Sequence, residues 1–588
     1  MHKVIIIGGM AAGCKAAARL SRLSADYQIT ILEKNNIVSF GNCGLPFYAS
    51  GDIDDLYELS KTAYGVVRDE KYFREVKGIK VLTNTEVIEI DPEKFHVKCK
   101  ATEKKDIFEL KYDSLILATG SKALRPRFPY PKSMRVSSFH SPSDAKSFRD
   151  EAQKGKIKKA LIIGGGFIGC ELTEAISSLW GIETTLIELE DSLLGNFLAP
   201  EISRIIENRI KENGVQILLS TEVEKIELDE NKLPIVFLKN GGSINTDYVF
   251  YNLGVQPQTT LAKQTGVKLG LYDGIIVDEQ MKTNIPNIWA AGDCVSTINL
   301  VTGKPDYFPL GSLSNRMGRT VADSIAEEKT YFKGAVGAVS LKIFDYIICA
   351  SGLTETKAAD YGINTSSVIG CWPDRPDYYP ENKFIFGKLV YEKQNLKLLG
   401  LQLVGEGEVT RYIDIFTELL SSNKTVYDLI NVEHAYTPPH SSPVSPLNYF
   451  GYIAIGQEKD NIKNFNPNCL SSFKGIFIDV RETAEIESLP FPLKSIQLPV
   501  SYLRSKLYDL KSTTSSQDLN QSIMFICEKG PRAYEAARLF KNSGYKNVSY
   551  LGGGNLLLNK AGLVNSLINT DSNSSQAKEF SECQETKK

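Results

Sequence analysis

One cysteine, Cys43, lies in a short stretch of small and apolar residues that runs from Val38 to Pro46. A thiolate on such a segment could attack the sulfur of a disulfide or persulfide. Val38 stands five residues before Cys43 and Ser39 follows Val38, so the stretch offers no second thiol. If Cys43 does redox chemistry, its partner must therefore come from the substrate. The alternative is a buried structural cysteine.

A second cysteine, Cys527, follows an apolar run at residues 522–526 and opens a six-residue loop that Arg532 closes. The pattern of the next residues, 533–541, predicts a helix. Backbone N–H groups and the helix dipole at such a place stabilise a thiolate or persulfide. The pattern predicts an anion-binding cradle around Cys527, closed by Arg532. The alternative is a buried cysteine at a strand end.

Composition excludes several classes of function. The 588 residues carry a net charge of -2, with 42% hydrophobic and 23% charged residues, which is typical of a globular chain and gives no reason to expect nucleic acid as a partner. The ten cysteines occur singly, which argues against a metal centre and for a reducing, cytoplasmic compartment. The N-terminus turns into a glycine loop too early for a signal peptide, and no apolar run approaches the roughly 20 residues of a membrane helix.

The elements that would position the cysteines begin with a strand at residues 4–7, a glycine turn, a helix and a second strand that ends in Glu33. This order is typical of a dinucleotide-binding fold, in which the helix N-terminus faces a pyrophosphate and the acid binds a ribose hydroxyl. Met10 replaces the middle glycine of the pattern. The predicted cofactor-binding residues of this turn are Gly8, Gly9, Met10, Ala11, Ala12 and Gly13, together with Glu33.

A second and complete fingerprint follows the strand at residues 160–163. Glu188 ends the next strand and would accept a hydrogen bond from a ribose 2′-hydroxyl but repel a 2′-phosphate, so NADH is favoured over NADPH. The second fold is inserted in the first, which implies two dinucleotides, FAD and a nicotinamide. The further cofactor-binding residues that we predict are Gly164, Gly166, Phe167, Ile168, Gly169 and Glu188, and, in later glycine loops, Thr119, Gly120, Gly254, Gly292 and Asp293.

On these motifs, residues 1 to about 450 resemble the pyridine nucleotide–disulfide oxidoreductase family, and within it the single-cysteine branch of coenzyme A-disulfide reductases, NADH oxidases and NADH peroxidases. The resemblance implies FAD on the first fingerprint and on Asp293, NADH on the second, and Cys43 beside the flavin. Oxidases and peroxidases of the family carry a histidine at the place of Ala11, so the sequence is more similar to the coenzyme A-disulfide branch. Residues from roughly 470 to 560 resemble a rhodanese domain. This resemblance implies that Cys527 is a sulfur carrier and that Arg532 has a catalytic role.

The resemblance also implies residues that bind substrate or complete the site. Tyr378 and Tyr436 would reach into the partner subunit's active site in a homodimer and steady the substrate sulfur. Interface packing is the alternative for the tyrosines, and a solvated helix face is the alternative for the cations of the first helix. The implied residues of the coenzyme A cradle and thiol channel are Lys15, Arg19, Arg22, Ser39, Asn42, Lys77 and Asn315.

We therefore predict an α/β chain with two nested Rossmann-like dinucleotide-binding domains, an α+β dimerisation domain and a C-terminal α/β rhodanese-like domain. The predicted function is an FAD-dependent enzyme that uses NADH to reduce coenzyme A disulfide, coenzyme A persulfide or polysulfide. The alternatives are an NADH oxidase or peroxidase that cycles through cysteine sulfenic acid, and a redox-sensing or sulfur-relay protein. The predicted segments are an FAD-binding domain at 1–121 and 251–325, an NAD-binding domain at 122–250, a dimerisation domain at 326–455, a linker at 456–472, a rhodanese-like domain at 473–562 and a polar tail at 563–588.

Overall fold

A computed structural model describes residues 1–103, 106–513, 519–564 and 567 of the chain. It forms two compact units, Met1–Leu189 with Gly214–Gly337, and Glu190–Asn213 with Ala338–Lys588. Most of the predicted polar tail lies outside the described residues, and the other predicted domain boundaries stay predictions. Within the described part of the chain, no helix is both long enough and apolar enough to span a lipid bilayer.

The first unit contains a parallel sheet made of apolar, largely buried strands, as expected where both faces of a sheet are covered. The helices Ala11–Leu23 and Gly311–Ile325 pack so closely that a side chain at Gly318 would lie 2.4 Å from the Ala12 carbonyl oxygen. In spatial order the five strands are Ile288–Ala290, Ser114–Leu117, His2–Ile7, Tyr27–Leu32 and Lys80–Leu82.

A second five-stranded parallel sheet in this unit carries the second fingerprint. Its central strand, Lys159–Ile163, leads through a glycine turn into the helix Phe167–Glu174. Two central strands followed by glycine turns confirm the two predicted nucleotide-binding folds. In spatial order the strands are Gln216–Leu218, Glu183–Ile187, Lys159–Ile163, Tyr248–Tyr251 and Val136–Ser137.

The first unit also contains smaller sheets and further helices. Two antiparallel strands, Ser121–Ala123 and Val255–Pro257, pair where the chain passes between the two folds. The other strands are Thr85–Asp91, His96–Ala101 and Ile107–Lys111; Val223–Leu228, Pro234–Leu238 and Ser243–Asn245; and Ile275–Ile276, Val295–Ile298 and Pro305–Asp306. The other α-helices are Leu45–Ser50, Glu70–Lys77, Pro142–Gln153 and Thr260–Gln264.

The second unit begins with an antiparallel sheet, as predicted for an α+β dimerisation domain. The strands in spatial order are Val339–Ile343, Tyr346–Gly352, Leu398–Gly405, Phe384–Glu392 and Thr365–Pro373. The helices around it are Pro200–Glu212, Glu355–Asp360, Thr410–Ser421, Val426–Ile430 and Pro446–Asp460.

A parallel sheet follows, and it is the predicted rhodanese-like α/β fold. In the stretch 456–472, predicted as a linker, the helix Pro446–Asp460 ends and an edge strand and a 3₁₀ turn, Pro467–Ser472, follow. The strands in spatial order are Lys463–Phe465, Val548–Leu551, Ile523–Ile526, Ile476–Asp479 and Ile496–Gln497. The helices are Thr483–Ser488, Val500–Thr513, Pro531–Asn542 and Gly554–Lys560.

A buried lysine ties several elements of the second unit together. Lys388 is fully buried, its ammonium lies 2.6 Å from Glu201 Oε1, and it also pairs with Glu355. Asn466 donates to the same Glu201 oxygen at 3.1 Å. Burial alone would raise the pKa of Glu355, but the Lys388 charge holds that pKa below its ordinary value. Loss of Lys388 would therefore leave two carboxylates without their counter-ion.

We expect Lys388→Met to lower the free energy of unfolding by about 3–5 kcal/mol, because one partner of a buried ion pair is removed. The matched control is Lys383→Met, since Lys383 pairs with Glu406 at 3.2 Å with half of its side chain exposed, and we expect a loss below about 1 kcal/mol there. Urea unfolding of both variants measures the difference. Equal losses would contradict a structural role for the buried lysine.

Candidate active site

The first glycine turn has a backbone that only glycine can follow. Gly8 has a φ of 109°, and a Cβ there would lie 2.0 Å from the Ala118 carbonyl oxygen. A Cβ on Gly13 would lie 1.9 Å from the Gly8 carbonyl oxygen. The turn thus packs tightly against the end of a neighbouring strand and against the helix that follows it. This close packing fixes the helix N-terminus at the edge of the sheet.

The acid predicted to close the first fingerprint lies against that turn. Glu33 is buried and accepts hydrogen bonds from the Gly9 N–H at 2.8 Å and from Asn35 at 2.9 Å. The helix that starts at Ala11 has no side-chain cap and no acid in its first turn. Its first N–H groups therefore suit a pyrophosphate, and the donor and acceptor set fits the dinucleotide that the sequence predicts.

The later loops of the first nucleotide fold converge on Asp293. The Asp293 carboxylate accepts from Ser314 Oγ at 2.7 Å, and burial raises its pKa. Gly292 has a φ of 86°, and a Cβ there would lie 2.9 Å from the Ala12 side chain. The loop of Asp293 is therefore in contact with the fingerprint helix. Thr119 donates to the Gln258 carbonyl oxygen at 2.6 Å, while Gly120 and Gly254 have positive φ angles.

The second glycine turn repeats this geometry. A Cβ on Gly164 would lie 2.4 Å from the Asn252 carbonyl oxygen, and a Cβ on Gly169 would lie 1.9 Å from the Gly164 carbonyl oxygen. The Glu188 carboxylate accepts from the Gly165 N–H at 2.5 Å, as Glu33 does from Gly9. The helix Phe167–Glu174 also starts without a side-chain cap or an early acid. The second turn therefore suits a second dinucleotide.

Comparison of the two turns explains why Met10 is tolerated. Its counterpart, Gly166, has a negative φ of -79°, and a Cβ there would meet open space. Met10 has a φ of -101°. The middle position of the pattern thus needs no glycine for its backbone, unlike the positions of Gly8 and Gly164.

Cys43 lies in a 3₁₀ turn, Asn42–Gly44, that leads directly into the helix Leu45–Ser50. The Ser39 N–H donates to the Gly9 carbonyl oxygen at 2.7 Å, which ties the cysteine segment to the first glycine turn. Ser39 itself has a left-handed φ of 56°. The predicted residues Ser39 and Asn42 lie on this segment together with Cys43.

The surroundings of Cys43 disfavour its thiolate. The residue is exposed, yet partial desolvation of the sulfur raises its pKa, and the carboxylates of Glu171 and Asp293 raise it further. Nucleophilic attack at neutral pH thus requires another group to stabilise the thiolate. Glu171 was not among the residues that the sequence singled out, because its closeness to Cys43 is a tertiary relation.

The predicted substrate-binding cations occupy separate places in the first unit. Arg19 Nε lies 2.6 Å from Asp323 Oδ1, and Asp323 is buried. Lys77 ends the helix Glu70–Lys77, and its ammonium lies 5.8 Å from the centre of the Tyr72 ring. Asn315 donates to the Gly311 carbonyl oxygen on its own helix. Lys15 and Arg22 lie on the fingerprint helix, with Arg22 exposed.

The two predicted tyrosines of the dimerisation domain lie together. Tyr378 is 74% exposed and Tyr436 is 46% exposed. A hydrogen bond between their side chains raises the pKa of Tyr436. Two large exposed aromatic side chains form a pair on the surface of the second unit.

Cys527 is buried and directly follows the strand Ile523–Ile526. Residues 528–530 then lead into the helix Pro531–Asn542. The Gly530 N–H donates to the Cys527 sulfur at 3.1 Å. Burial raises the pKa of Cys527, while the N–H groups of the loop and the Arg532 charge lower it. The loop thus supplies donors for an anion at this sulfur, as the sequence predicted.

The structure adds Glu485 to this second site. Arg532 makes a bidentate ion pair with the Glu485 carboxylate, with one N–O distance of 2.7 Å. The hydrogen bonds from Arg532 lower the pKa of Glu485 to about 2. The available sequence signal was an acid in the first turn of the helix Thr483–Ser488, shortly after Asp479 and Arg481. That position alone could not indicate its partner 47 residues away.

Comparisons with known proteins agree with this architecture. Residues 2–306 match the family model of pyridine nucleotide-disulphide oxidoreductases, residues 339–445 match the dimerisation domain of that family, and residues 464–557 match the rhodanese-like domain. A relative, NAD(P)H sulfur oxidoreductase (CoA-dependent) of Pyrococcus abyssi, is 32% identical over 444 residues, which cover 76% of this chain and 96% of the relative.

Two solved structures cover nearly the whole chain. An NAD-dependent persulfide reductase from A. fulgidus is 34% identical, with a TM-score of 0.88 and coverage of 94% of this chain and 99% of that one. The reduced Bacillus anthracis CoADR-RHD is 30% identical, with a TM-score of 0.87 and coverage of 95% of this chain and 98% of that one. Both resemblances extend through the rhodanese-like fold.

We expect Arg532→Gln to raise the pKa of the Cys527 thiol, because a cation that lowers it is removed. The rate of Cys527 alkylation by iodoacetamide, followed against pH by peptide mass spectrometry, measures the change. Arg538→Gln is the matched control, since Arg538 lies on the same helix but pairs with Asp460. Identical profiles for the two variants and the unmodified protein would contradict a role for Arg532 at the sulfur.

Proposed function

Because the chain belongs to the pyridine nucleotide-disulphide oxidoreductase family, we propose that it is an FAD-dependent reductase of coenzyme A disulfide, coenzyme A persulfide or polysulfide, with NADH as reductant. The observation that carries the proposal is the hydrogen bond from the Ser39 N–H to the Gly9 carbonyl oxygen, which places the segment of Cys43 beside the first dinucleotide turn. A lone cysteine at that place suits a substrate that brings its own sulfur.

The reaction at Cys43 is a thiol–disulfide exchange followed by reduction. Bound FAD would carry two electrons from the nicotinamide to the sulfur site. The Cys43 thiolate attacks a substrate sulfur, so a bond forms between the two sulfurs and the S–S bond of the substrate breaks. The other sulfur of the substrate leaves as a thiolate, or as sulfide when the substrate is a persulfide. The segment of Cys43 has no second cysteine. The mixed disulfide would therefore be reduced by these two electrons rather than by exchange with a neighbouring thiol.

Cys527 gives the enzyme a place to hold sulfane sulfur. The Gly530 N–H and the helix N-terminus would stabilise the terminal sulfur anion of a Cys527 persulfide. A fused sulfur carrier favours persulfide or polysulfide over plain disulfide as the substrate. Arg532, held by Glu485, keeps a positive charge beside this anion.

A homodimer with shared active sites is also part of the proposal. Tyr378 and Tyr436 are large and exposed, which supports a partner surface and a role for them in the partner subunit's site. Eight described cysteines are free thiols, whereas Cys469 is disulfide-bonded. Because free thiols predominate, a reducing compartment, the cytoplasm, is also part of the proposal. For the coenzyme, Lys15, Arg19 and Arg22 remain the proposed phosphate-binding cations.

We expect Cys43→Ser to abolish NADH oxidation driven by coenzyme A disulfide, because the attacking sulfur is lost. Cys527→Ser should keep that activity and lose sulfane sulfur transfer to a thiol acceptor. Steady-state NADH absorbance and a sulfane sulfur assay on both variants measure these effects.

Full turnover by the Cys43→Ser variant would contradict the proposed reaction. The second candidate, an NADH oxidase or peroxidase, rests on the exposed lone thiol of Cys43, which can form a sulfenic acid. Fast NADH oxidation with oxygen or peroxide, and no response to any sulfur substrate, would favour that candidate instead.

We expect Glu188→Ser to lower the preference for NADH over NADPH by about tenfold or more, equivalent to about 1.4 kcal/mol. The carboxylate would bind the ribose 2′-hydroxyl and repel a 2′-phosphate. The ratio of kcat/KM for the two nucleotides measures the preference, and Glu190→Ser, two residues further on, is the matched control. If both variants leave this ratio unchanged, Glu188 does not bind the ribose 2′-hydroxyl.

A further inference from the structure

The loop around the second reactive sulfur, residues 527–532, carries two cations, Lys529 and Arg532. Both terminal nitrogens of Arg532, Nη1 and Nη2, bind the Glu485 carboxylate. A planar guanidinium binds the oxygens of an oxoanion through this same pair of donors. The side of Arg532 that could hold a sulfur oxoanion is therefore occupied by a carboxylate of the protein itself.

The other cation of the loop is paired in the same way, but with a different segment of the second unit. Lys529 Nζ lies 3.0 Å from Asp377 Oδ1 and 5.3 Å from the centre of the Phe384 ring. Glu528, which stands between Cys527 and Lys529, is half-buried and adds a negative charge. Within this loop, all of whose residues the structure describes, each cation is thus matched by a carboxylate from outside the loop.

Glu485 is held in place by the start of its own helix, Thr483–Ser488. The Glu482 N–H donates to Glu485 Oε2 at 3.0 Å in a capping box. Ser501 Oγ donates to Glu482 Oε1 at 3.0 Å, which ties this helix start to a second helix. The hydrogen bonds from Arg532 lower the pKa of Glu485 to about 2, so the acid is ionised at neutral pH. An oxoanion that approached Arg532 would have to displace a fixed carboxylate.

The backbone of the loop suits a different kind of ligand. The Gly530 N–H donates to the Cys527 sulfur at 3.1 Å, and the helix Pro531–Asn542 begins at the next residue. These donors stabilise a single negative charge on the sulfur itself or on one further sulfur bonded to it. Donors for a persulfide are therefore present, whereas the two cations that could bind a more highly charged donor are paired.

We propose that Glu485 determines the specificity of the Cys527 site: by occupying Arg532 it excludes sulfur oxoanions such as thiosulfate and limits the sulfur donors to persulfides and polysulfides. The inference rests on the proposed function only for the role of Cys527 as a sulfur carrier. Thiosulfate is a dianion, and its approach to a thiolate brings like charges together where the nearby cations are already neutralised. A persulfide brings at most one charge to the same place.

The transfer from a persulfide R–S–SH balances without an external oxidant or reductant. The Cys527 thiolate attacks the outer sulfur, so an S–S bond forms between Cys527 Sγ and that sulfur while the S–S bond of the donor breaks. R–S⁻ leaves with the electron pair of the broken bond. The proton of the transferred sulfur then passes to R–S⁻, which gives R–SH and leaves the Cys527 persulfide anion beside the Gly530 N–H. With thiosulfate, the leaving group would be the sulfite dianion, and both cations of the loop are paired.

The rate of sulfur loading at Cys527 tests the proposal. The two donors are thiosulfate and pantetheine persulfide, which carries no phosphate, and peptide mass spectrometry of the full-length protein measures how fast Cys527 gains one sulfur atom. We expect Glu485→Gln to raise the ratio of the thiosulfate rate to the persulfide rate about tenfold or more, because Arg532 becomes available to an oxoanion. Glu487→Gln is the matched control, since it removes an acid from the same helix, and its ratio should match that of the unmodified protein.

Two further variants separate specificity from a folding defect. Glu485→Asp keeps a carboxylate opposite Arg532 and should keep the ratio nearer to that of the unmodified protein than Glu485→Gln does. Combining Glu485→Gln with Arg532→Gln should remove the gain. An unchanged ratio in Glu485→Gln, or a gain that persists without Arg532, would overturn the proposal while Cys527 remains a sulfur carrier. If neither donor loads Cys527 in the unmodified protein, the sulfur-carrier role is wrong and the specificity falls with it.

Discussion

The positive φ of two glycines is the constraint on which the first unit depends. Gly8 and Gly164 each follow a central strand and turn the backbone at φ angles of 109° and 107°. A side chain at either place would overlap the carbonyl oxygen of the residue that follows the neighbouring strand. With glycine there, the helix that follows starts at the edge of the sheet with its N–H groups uncapped. Two sites for anions arise from two positions where a single carbon atom cannot fit.

The first glycine turn and the helix that follows the second turn also determine the surroundings of Cys43. Through the Ser39 N–H, the carbonyl group of Gly9 holds the segment of Cys43, and the second fingerprint helix carries Glu171 to the same region. Burial raises the pKa of both cysteine thiols, but the charges and dipoles near the two sulfurs act in opposite directions. Around Cys43 the nearby charges are carboxylates, which raise the thiol pKa. Around Cys527 the nearby charge and dipoles are an arginine and backbone N–H groups, which lower it. Cys43 therefore depends on a bound partner for its activation, whereas the loop of Cys527 is built for an anion.

Local patterns were enough to predict part of this structure. A strand, a glycine turn, a helix and an acid follow one another within about 30 residues in such folds, so both nucleotide folds could be predicted from the sequence. The loop of Cys527 was predictable for the same reason. The pairs Arg532–Glu485 and Lys388–Glu201 could not be, because their members are far apart in the chain and meet only in the folded protein. The polar composition of residues 456–472 predicted a linker, yet Lys463–Phe465 pairs with Ser549–Leu551, a partner that composition cannot reveal.

The proposed binding of an anionic coenzyme by Arg19 has to agree with the ion pair that Arg19 already makes. Asp323 is buried, and a buried carboxylate that lost its cation would be strongly destabilising. Asp323 has a second partner, however, because Arg319 Nε lies 3.5 Å from its other carboxylate oxygen. Arg19 is also 22% exposed at its side chain, so a phosphate can reach it. Arg19 can therefore turn toward a phosphate while Arg319 keeps the carboxylate paired, and the cost of that exchange is the loss of one of two ion pairs rather than a stranded buried charge.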